Sequence, residues 1–408
     1  MKHVFIVNPA AGNGKIQEAL LPRILDAVKK WGADYEIHRT SGPGEATTYT
    51  RGKLEAGRGE IDRNEADREE VIHDEADMLE AGQGEAGRGE ADREEVKRDE
   101  ADLIEAGRGE AGRGETDRGE AEQNETEQVE VGQVETDRGV TGQGEKIRFY
   151  VCGGDGTAAE VLNGLYGFPE AELAIIPAGS GNDYVRNFDD REKFLDITAQ
   201  LAGEAVPVDV IRYSYTPASP KSDKEGEPET LYALNMVNMG FDAKAAAHMT
   251  RFKNKLFLRG TGAYIAGVLK ELTSYKMSHA AFRPEGEDAF EADFLLGGVG
   301  SGRFSGGGFD GIPHAVVHDG LLDLIIVDPL SRGEFLKLVG IYHDGKHTEH
   351  PELMDRMRLM SVKGVEIEPA SGLVFTTDGE AHYTKSTLSV SLAPEKIRFV
   401  VPDGVARP

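Results

Sequence analysis

The sequence predicts an open, mostly parallel α/β domain followed by a β-rich domain. Three observations predict it. Strand and helix patterns alternate from residue 2 to residue 177, small-residue turns follow successive strands, and beyond about residue 205 short strands follow one another with few helices between them. One long segment, residues 55–145, fits neither pattern.

Lys2–Val7 reads as a strand, and Asn8–Gly14 as the turn after it. Ile16–Trp31 reads as a helix, because Leu20, Leu21, Ile24, Leu25 and Val28 recur at helical spacing. Asp34–Arg39 is a second strand, and Glu45–Arg51 opens a helix. The pattern resumes at Lys146–Val151, where Ile147, Phe149 and Val151 alternate. Thr157–Tyr166 is a helix and Leu173–Pro177 a strand. The order β-α-β-α-β-α-β predicts an open parallel sheet. Further on, Val206–Tyr215, Glu229–Asn238, Ala280–Arg283, Ala289–Val299, Gly320–Val327 and Gly364–Pro369 read as strands, and Pro217–Glu229 contains a polar hairpin loop. Lys255–Leu272 is the one helical stretch in this half, with Lys253, Lys255 and Arg259 near its start. A helix packed on the second domain is the favoured reading, and contact with anionic lipid the other.

Residues 55–145 form a repeat. Glu recurs at every fifth position from Glu55 to Glu135, and a 25-residue unit is nested inside, since Glu65–Glu90 and Glu90–Glu115 read almost alike. A period of five gives no stripe on a helix and changes face along a strand. The segment holds no aromatic residue and is rich in Gly and Glu. It cannot bury enough apolar surface to offset its ordering entropy, so a disordered or weakly helical insertion is expected, with an acidic interaction or calcium-buffering role as the other reading. The predicted organisation is residues 1–52 and 146–205 for the α/β domain, 53–145 for the insertion and 206–384 for the β-rich domain. The C-terminal 385–408 is expected to return to the first domain.

The 408 residues carry a formal charge of −27. Residues 55–145 hold 31 Asp and Glu against 11 Lys and Arg, a net of −20, so the remainder carries an ordinary −7. That balance argues against general nucleic-acid binding, which needs a basic surface. The single cysteine, Cys152, excludes an intrachain disulfide and fits a reducing compartment. It is expected under a turn, not acting as a nucleophile. The N-terminus lacks the pattern of a secretory signal, and no window of about 18 apolar residues predicts a membrane span.

Three turns carry candidate chemistry. Gly153-Gly154-Asp155-Gly156-Thr157 follows a strand and opens a helix. Its glycines let backbone N–H groups approach a phosphate, although a plain tight turn has the same composition. Pro177-Ala178-Gly179-Ser180-Gly181-Asn182-Asp183 is a second such turn, on the next strand, and Asn8-Pro9-Ala10-Ala11-Gly12 is a third. All three fall at the carboxyl edge of the expected sheet, where open α/β sheets bind ligands. Asp378-Gly379-Glu380 reads both as a type I′ hairpin turn and as a pair of carboxylates that could face a cleft. His343, His347 and His350 resemble a metal cluster, but their irregular spacing on a polar stretch reads better as a solvated helix surface.

These turns, in this order, resemble the diacylglycerol kinase catalytic-domain family of lipid kinases, and within it the soluble bacterial diacylglycerol kinases. The resemblance continues in Asn238-Met239-Gly240-Phe241-Asp242, in Gly306–Asp323 and in Asp378-Gly379-Glu380. It covers nearly everything except the repeat. It implies a nucleotide-binding α/β domain and a C-terminal β-sandwich domain with the active site between them, ATP and Mg²⁺, and a lipid alcohol as acceptor. By the same resemblance Asn8, Pro9, Ala10, Ala11, Gly12, Thr40, Gly153, Gly154, Gly156, Thr157, Glu160, Gly179, Ser180 and Asn182 line the ATP site. Asp155, Asp183 and Asp209 belong to an acidic network. Glu380 is the first choice for general base and Asp378 the second. Asp319, with the carbonyls of Val316 and Leu321, matches a structural magnesium site. Glu45 departs from the family, which often has His there. A cytoplasmic protein that visits the membrane surface would follow, and the bacterial relatives suggest a homodimer. Two alternatives stand beside this: a kinase of a soluble acceptor such as NAD, because NAD kinases share Gly-Gly-Asp-Gly-Thr, and a nucleotide-binding regulator with a vestigial kinase site.

Overall fold

A computed structural model describes residues 1–14, 16–58, 145–219, 222–245 and 277–407. The acidic repeat from residue 59 to 144 and the helix expected at Lys255–Leu272 lie outside the described residues.

Six strands make the first sheet, in the order Tyr35–Arg39, Lys2–Val7, Ile147–Gly153, Ala171–Pro177, Ile397–Val401, Glu204–Val208. All neighbours run parallel except the last pair. The three central strands are almost wholly buried, as expected for a parallel sheet covered on both faces. Helices Ile16–Trp31 and Ile197–Ala202 pack on one face around Phe5, Ile24, Tyr150 and Ile176. The helix over residues 45–58 and helix Asp155–Leu165 pack on the other, around Phe149, Leu162 and Leu173.

Two antiparallel six-stranded sheets form the second half. One has the order Met357–Val362, Leu322–Val327, Leu296–Gly300, Met236–Gly240, Leu373–Thr377, Glu380–Thr384; the other has Phe290–Phe294, Ser278–Pro284, Gly364–Pro369, Leu388–Leu392, Ile211–Tyr215, Glu229–Ala233. Their inner faces share one core, with Val237, Met239, Leu324 and Phe375 from the first and Tyr213, Phe282, Ile367 and Val390 from the second. This is a β-sandwich. The parallel α/β domain and the β-rich second domain expected from the sequence are the observed ones.

Three predicted strands are each two strands in different sheets. Val206–Tyr215 divides at Asp209–Val210, Glu229–Asn238 at Leu234–Asn235, and Ala289–Val299 at Leu295. The corner residues are all buried, polar Asp209 and Asn235 as well as Val210, Leu234 and Leu295, so no exposed stretch marks the turn. Hydrophobic pattern therefore cannot mark the change of sheet. The first sheet accordingly extends to Val208, past residue 205. At the other end Leu388–Leu392 still belongs to the sandwich, and only Ile397–Val401 returns to the first sheet. Residues Pro217–Glu229 hold a short hairpin, Ala218–Ser219 with Ser222–Glu225.

Candidate active site

The three glycine-containing turns meet at the carboxyl edge of the first sheet. Asn8 follows the strand Lys2–Val7, and its Nδ2 donates to Thr157 Oγ1 at 2.9 Å while its Oδ1 accepts the Ala10 N–H at 2.9 Å. Gly12 adopts φ 54° in this turn, with Pro9 and Ala11 half-buried beside it. The Thr40 N–H donates to the Val7 carbonyl at 3.0 Å, which brings buried Thr40 to the same edge. Gly154 precedes the helix Asp155–Leu165, whose first turn no side chain caps. Its N–H groups and helix dipole favour an anion.

The second turn presses against the first. A Cβ on Gly179 would lie 2.4 Å from Gly154 Cα, and one on Gly153 2.7 Å from the Thr157 side chain. Only glycine lets the two loops approach this closely. Asn182, buried at φ 51°, holds its own turn by accepting from the Gly179 N–H and donating to the Gly179 carbonyl. Asp155 ties the loops together, since its carboxylate accepts the N–H groups of Asn182 at 2.7 Å and Asp183 at 2.8 Å. Ser180 stands exposed at the tip.

The sandwich delivers two carboxylates to this edge. Leu373–Thr377 and Glu380–Thr384 are joined by a two-residue turn in which Asp378 has φ 44° and Gly379 φ 92°. Both positive φ values agree with a type I′ hairpin. Gly379 sits over the start of the glycine-loop helix, where a Cβ would be 3.9 Å from Asp155 Cβ, and Glu380 Oε1 lies 3.9 Å from where a Gly156 Cβ would be. Asp378 accepts the Leu234 N–H at 2.7 Å and the Asn235 N–H at 3.2 Å. The sheet-switching corner at Leu234–Asn235 is thus the anchor of this hairpin. Burial pushes the Asp378 pKa up to about 7, helped by the charges of Asp155 and Glu380 and opposed by the two N–H donors. Glu380 is raised by burial and by Glu160. Burial and Asp155 bring Asp183 to about 6, and burial raises Asp155 itself.

Other expected site residues make their contacts elsewhere. The Glu160 carboxylate accepts the Ala46 N–H at 3.1 Å and so caps the helix at residues 45–58. Glu45 accepts the Ser41 N–H and pairs with His38 Nε2 at 3.0 Å. Asp209 accepts the Gly320 N–H at 2.8 Å and pairs with Lys396 at 3.0 Å, which ties the end of a first-sheet strand to the loop of Asp319. In that loop Asp319 accepts the Leu321 N–H at 3.0 Å, and the Val316 carbonyl accepts the His318 N–H at 2.8 Å. Cys152 is fully buried and burial raises its thiol pKa, as its place under the turn requires. The histidine stretch is not a solvated surface throughout. His347 is completely buried and packs on Tyr342 at 4.7 Å, because the short helix Lys346–Glu349 turns it inward. No group of three or more His, Cys, Asp or Glu side chains among the described residues could hold a metal.

Sequence reasoning missed Arg186, Asn187, Asn235 and Arg303. Asn187 Oδ1 accepts the Arg303 N–H at 2.8 Å, and its Nδ2 donates to Asn235 Oδ1 at 3.1 Å. No spacing rule links residues so far apart in the chain.

Comparison with known proteins decides the family. The diacylglycerol kinase catalytic domain matches residues 119–213, and the YegS C-terminal NAD kinase beta sandwich-like domain matches residues 235–401. A "Probable lipid kinase YegS-like" of Pseudomonas aeruginosa strain PAO1 is 33% identical over 255 residues, covering 62% of this chain and 76% of that protein. The chain belongs to the diacylglycerol kinase catalytic-domain family. A relative with the same name in Alcanivorax borkumensis is 30% identical over 258 residues, covering 62% of this chain and 78% of its own length. Among solved structures, one described as a diacylglycerol kinase from Bacillus anthracis superposes with a TM-score of 0.52 at 16% identity, over 99% of this chain and 98% of that one. The diacylglycerol kinase family thus accounts for both halves of the fold. No helix among the described residues is long and apolar enough to cross a membrane.

Proposed function

We propose that this family member transfers the γ-phosphoryl group of ATP to the hydroxyl of a diacylglycerol-like lipid. The observation that carries the reading is the meeting of the Asp378–Glu380 hairpin with the uncapped helix N-terminus at Gly154. One side offers N–H groups and a dipole for phosphates, the other a carboxylate for the attacking alcohol.

The geometry divides the acidic pair. Asp378 spends both oxygens on backbone N–H groups and holds the hairpin in place. Glu380 is the general base: its carboxylate takes the proton of the acceptor hydroxyl as that oxygen bonds to the γ-phosphorus and the bond to the leaving ADP breaks. A base raised above the ordinary glutamate range is better matched to a neutral working pH. Asn8–Gly12, Thr40, Gly153–Thr157 and Gly179–Asn182 would surround the nucleotide. Asp155 acts as the positioning residue that fixes the two phosphate-facing turns.

The donor set suits magnesium. Asp155 and Asp183 already accept backbone N–H groups, and their remaining lone pairs would hold a magnesium ion through its waters. The ion would supply charge neutralisation on the ATP phosphates. The Asp319 loop, with one carboxylate and the Val316 and Leu321 carbonyls, offers hard oxygens for a structural magnesium ion.

The test is transfer of labelled γ-phosphate from ATP to lipids in mixed micelles, with a diacylglycerol, a sphingoid base and a bacterial lipid extract in parallel and NAD as soluble control. Label should enter a lipid. Glu380→Gln should lower kcat by about 10²–10⁴-fold with little change in ATP binding, the usual contribution of a positioned base. Label in NAD alone would overturn the reading.

A further inference from the structure

A second set of contacts joins the two halves of the site, and the reaction as described does not use it. Phe304–Ser305 and Phe309–Asp310 form a short hairpin whose tip is Gly306-Gly307-Gly308, with φ of 63°, 88° and 118°. The tip lies against the Gly179–Asn187 segment of the first sheet. Asp183 Oδ2 accepts the Gly307 N–H at 2.8 Å. Arg186 reaches from the same segment: its Nη2 donates to the Gly181 carbonyl at 3.2 Å, and its Nε faces Asp183 Oδ1 at 3.3 Å. The guanidinium then passes over Gly308, where a Cβ would stand 3.2 Å from Nη1. The base of the hairpin is held by the Arg303–Asp310 ion pair and by Asn187.

These contacts close a ring. Asp155 holds Asp183, Asp183 holds Gly307, Asn235 donates to the Phe304 carbonyl, and Asp378 holds the Asn235 N–H. Gly379 beside Asp378 returns to Asp155. The contacts that shape the nucleotide side, Asn8 with Thr157, Gly154 against Gly179 and Asp155 with Asn182, all lie within the first sheet's loops. The triglycine hairpin is carried by the sandwich half, between the strands Leu296–Gly300 and Leu322–Val327.

We propose that Asp183 and Arg186 form a latch that clamps the triglycine hairpin and so sets the acceptor side of the cleft. Arg186 is a positioning residue here. Its Nη2 holds the Gly181 carbonyl, its Nε stands beside the Asp183 carboxylate as an ion pair, and the missing side chain at Gly308 makes room for it. Gly307, which has nothing within 4 Å of a Cβ position, leaves a side-chain-free gap beside the latch for the lipid headgroup. The inference rests on the kinase reading above.

The test measures both substrates in the full-length protein with Arg186→Gln, Gly308→Ala and the double variant, alongside thermal melts. Each single variant should lower kcat/KM for the acceptor lipid by about tenfold and raise KM for ATP by clearly less, because on the nucleotide side only the Gly181 carbonyl loses a partner. The double variant should be no worse than either single one, since both break the same contact. Equal loss for both substrates, additive losses, or no change would overturn the latch. If Gly308→Ala does not fold, Arg186→Gln and Arg186→Lys decide: Lys keeps the charge but not the fork, and equal activity of Lys and wild type would overturn the proposal. A wild-type protein that labels no lipid would instead refute the kinase reading, independently of the variants.

Discussion

Asp378 and Glu380 stand two positions apart and make different contacts. In the sequence they are an interchangeable acidic pair on a turn. The structure gives Asp378 two backbone donors and leaves Glu380 beside the glycine loop. Burial of Asp378 has a consequence for stability. Its folded pKa, about 7, lies above the unfolded value near 3.8, so the native state keeps a proton the unfolded chain has released. The stabilisation is complete below about pH 4 and fades as pH rises through about 7, in keeping with the sign of the linkage. Asp378→Asn removes this titration. Denaturant unfolding of wild type and Asp378→Asn across pH 4–8 should therefore show wild type losing stability relative to the variant as pH rises; parallel curves would rule it out.

At the scale of elements, the site depends on loops that touch without side chains. Gly179 and Gly154 approach closely enough that a single methyl group would collide with backbone. Gly179→Ala should push the two turns apart, destabilise the protein by about 1–3 kcal/mol as overpacking does, and weaken ATP binding. Calorimetric titration with ATP and a thermal melt check both. An unchanged affinity would mean that the second turn does not face the nucleotide. The hairpin tips behave similarly: positive φ at Asp378 and Gly379, and at Gly306, Gly307 and Gly308, shapes the two sandwich elements that reach the first sheet. The strands behind them are ordinary. The chemistry is concentrated in turns, each placed by a buried strand.

Across the whole molecule, the chain leaves the first sheet and comes back to it. Ile397–Val401 inserts between Ala171–Pro177 and Glu204–Val208, and Glu172 straps it there. The Glu172 carboxylate is buried between Arg148 Nε at 2.8 Å and Arg398 at 3.3 Å, and Arg148 also donates to the Gln200 and Leu201 carbonyls. Removing one partner of a buried pair leaves a charge uncompensated. Glu172→Ala should cost about 3–5 kcal/mol in denaturant unfolding, whereas Arg398→Ala, whose side chain is half in water, should cost under about 1 kcal/mol. Equal effects would show that the strap does not depend on burial. Because this closing strand sits beside the strand that carries Gly179, loosening it should also loosen the site.

Most strands and helices of the first sheet were legible because strand and helix differ in hydrophobic period, and the glycine turns were legible because tight turns at strand ends need small residues. The family resemblance pointed to Asp155, Asp378 and Glu380 as candidate site residues. Asn187 and Asn235 were not legible, since nothing in their local sequence signals partners more than forty residues away; Arg186 bonds within its own turn, and nothing local signals that it also faces Gly308. The corners at Asp209–Val210, Leu234–Asn235 and Leu295 were hidden for a related reason: apolar pattern records burial, and these residues stay buried while the chain changes sheets. The sequence by itself determined the α/β order, the three loops at one sheet edge and the acidic hairpin turn, all of which follow from local periodicity and residue chemistry. Tertiary structure alone decided which carboxylate is held and which is free, and that the triglycine hairpin meets Asp183 and Arg186, because both depend on distances between residues that the chain keeps far apart.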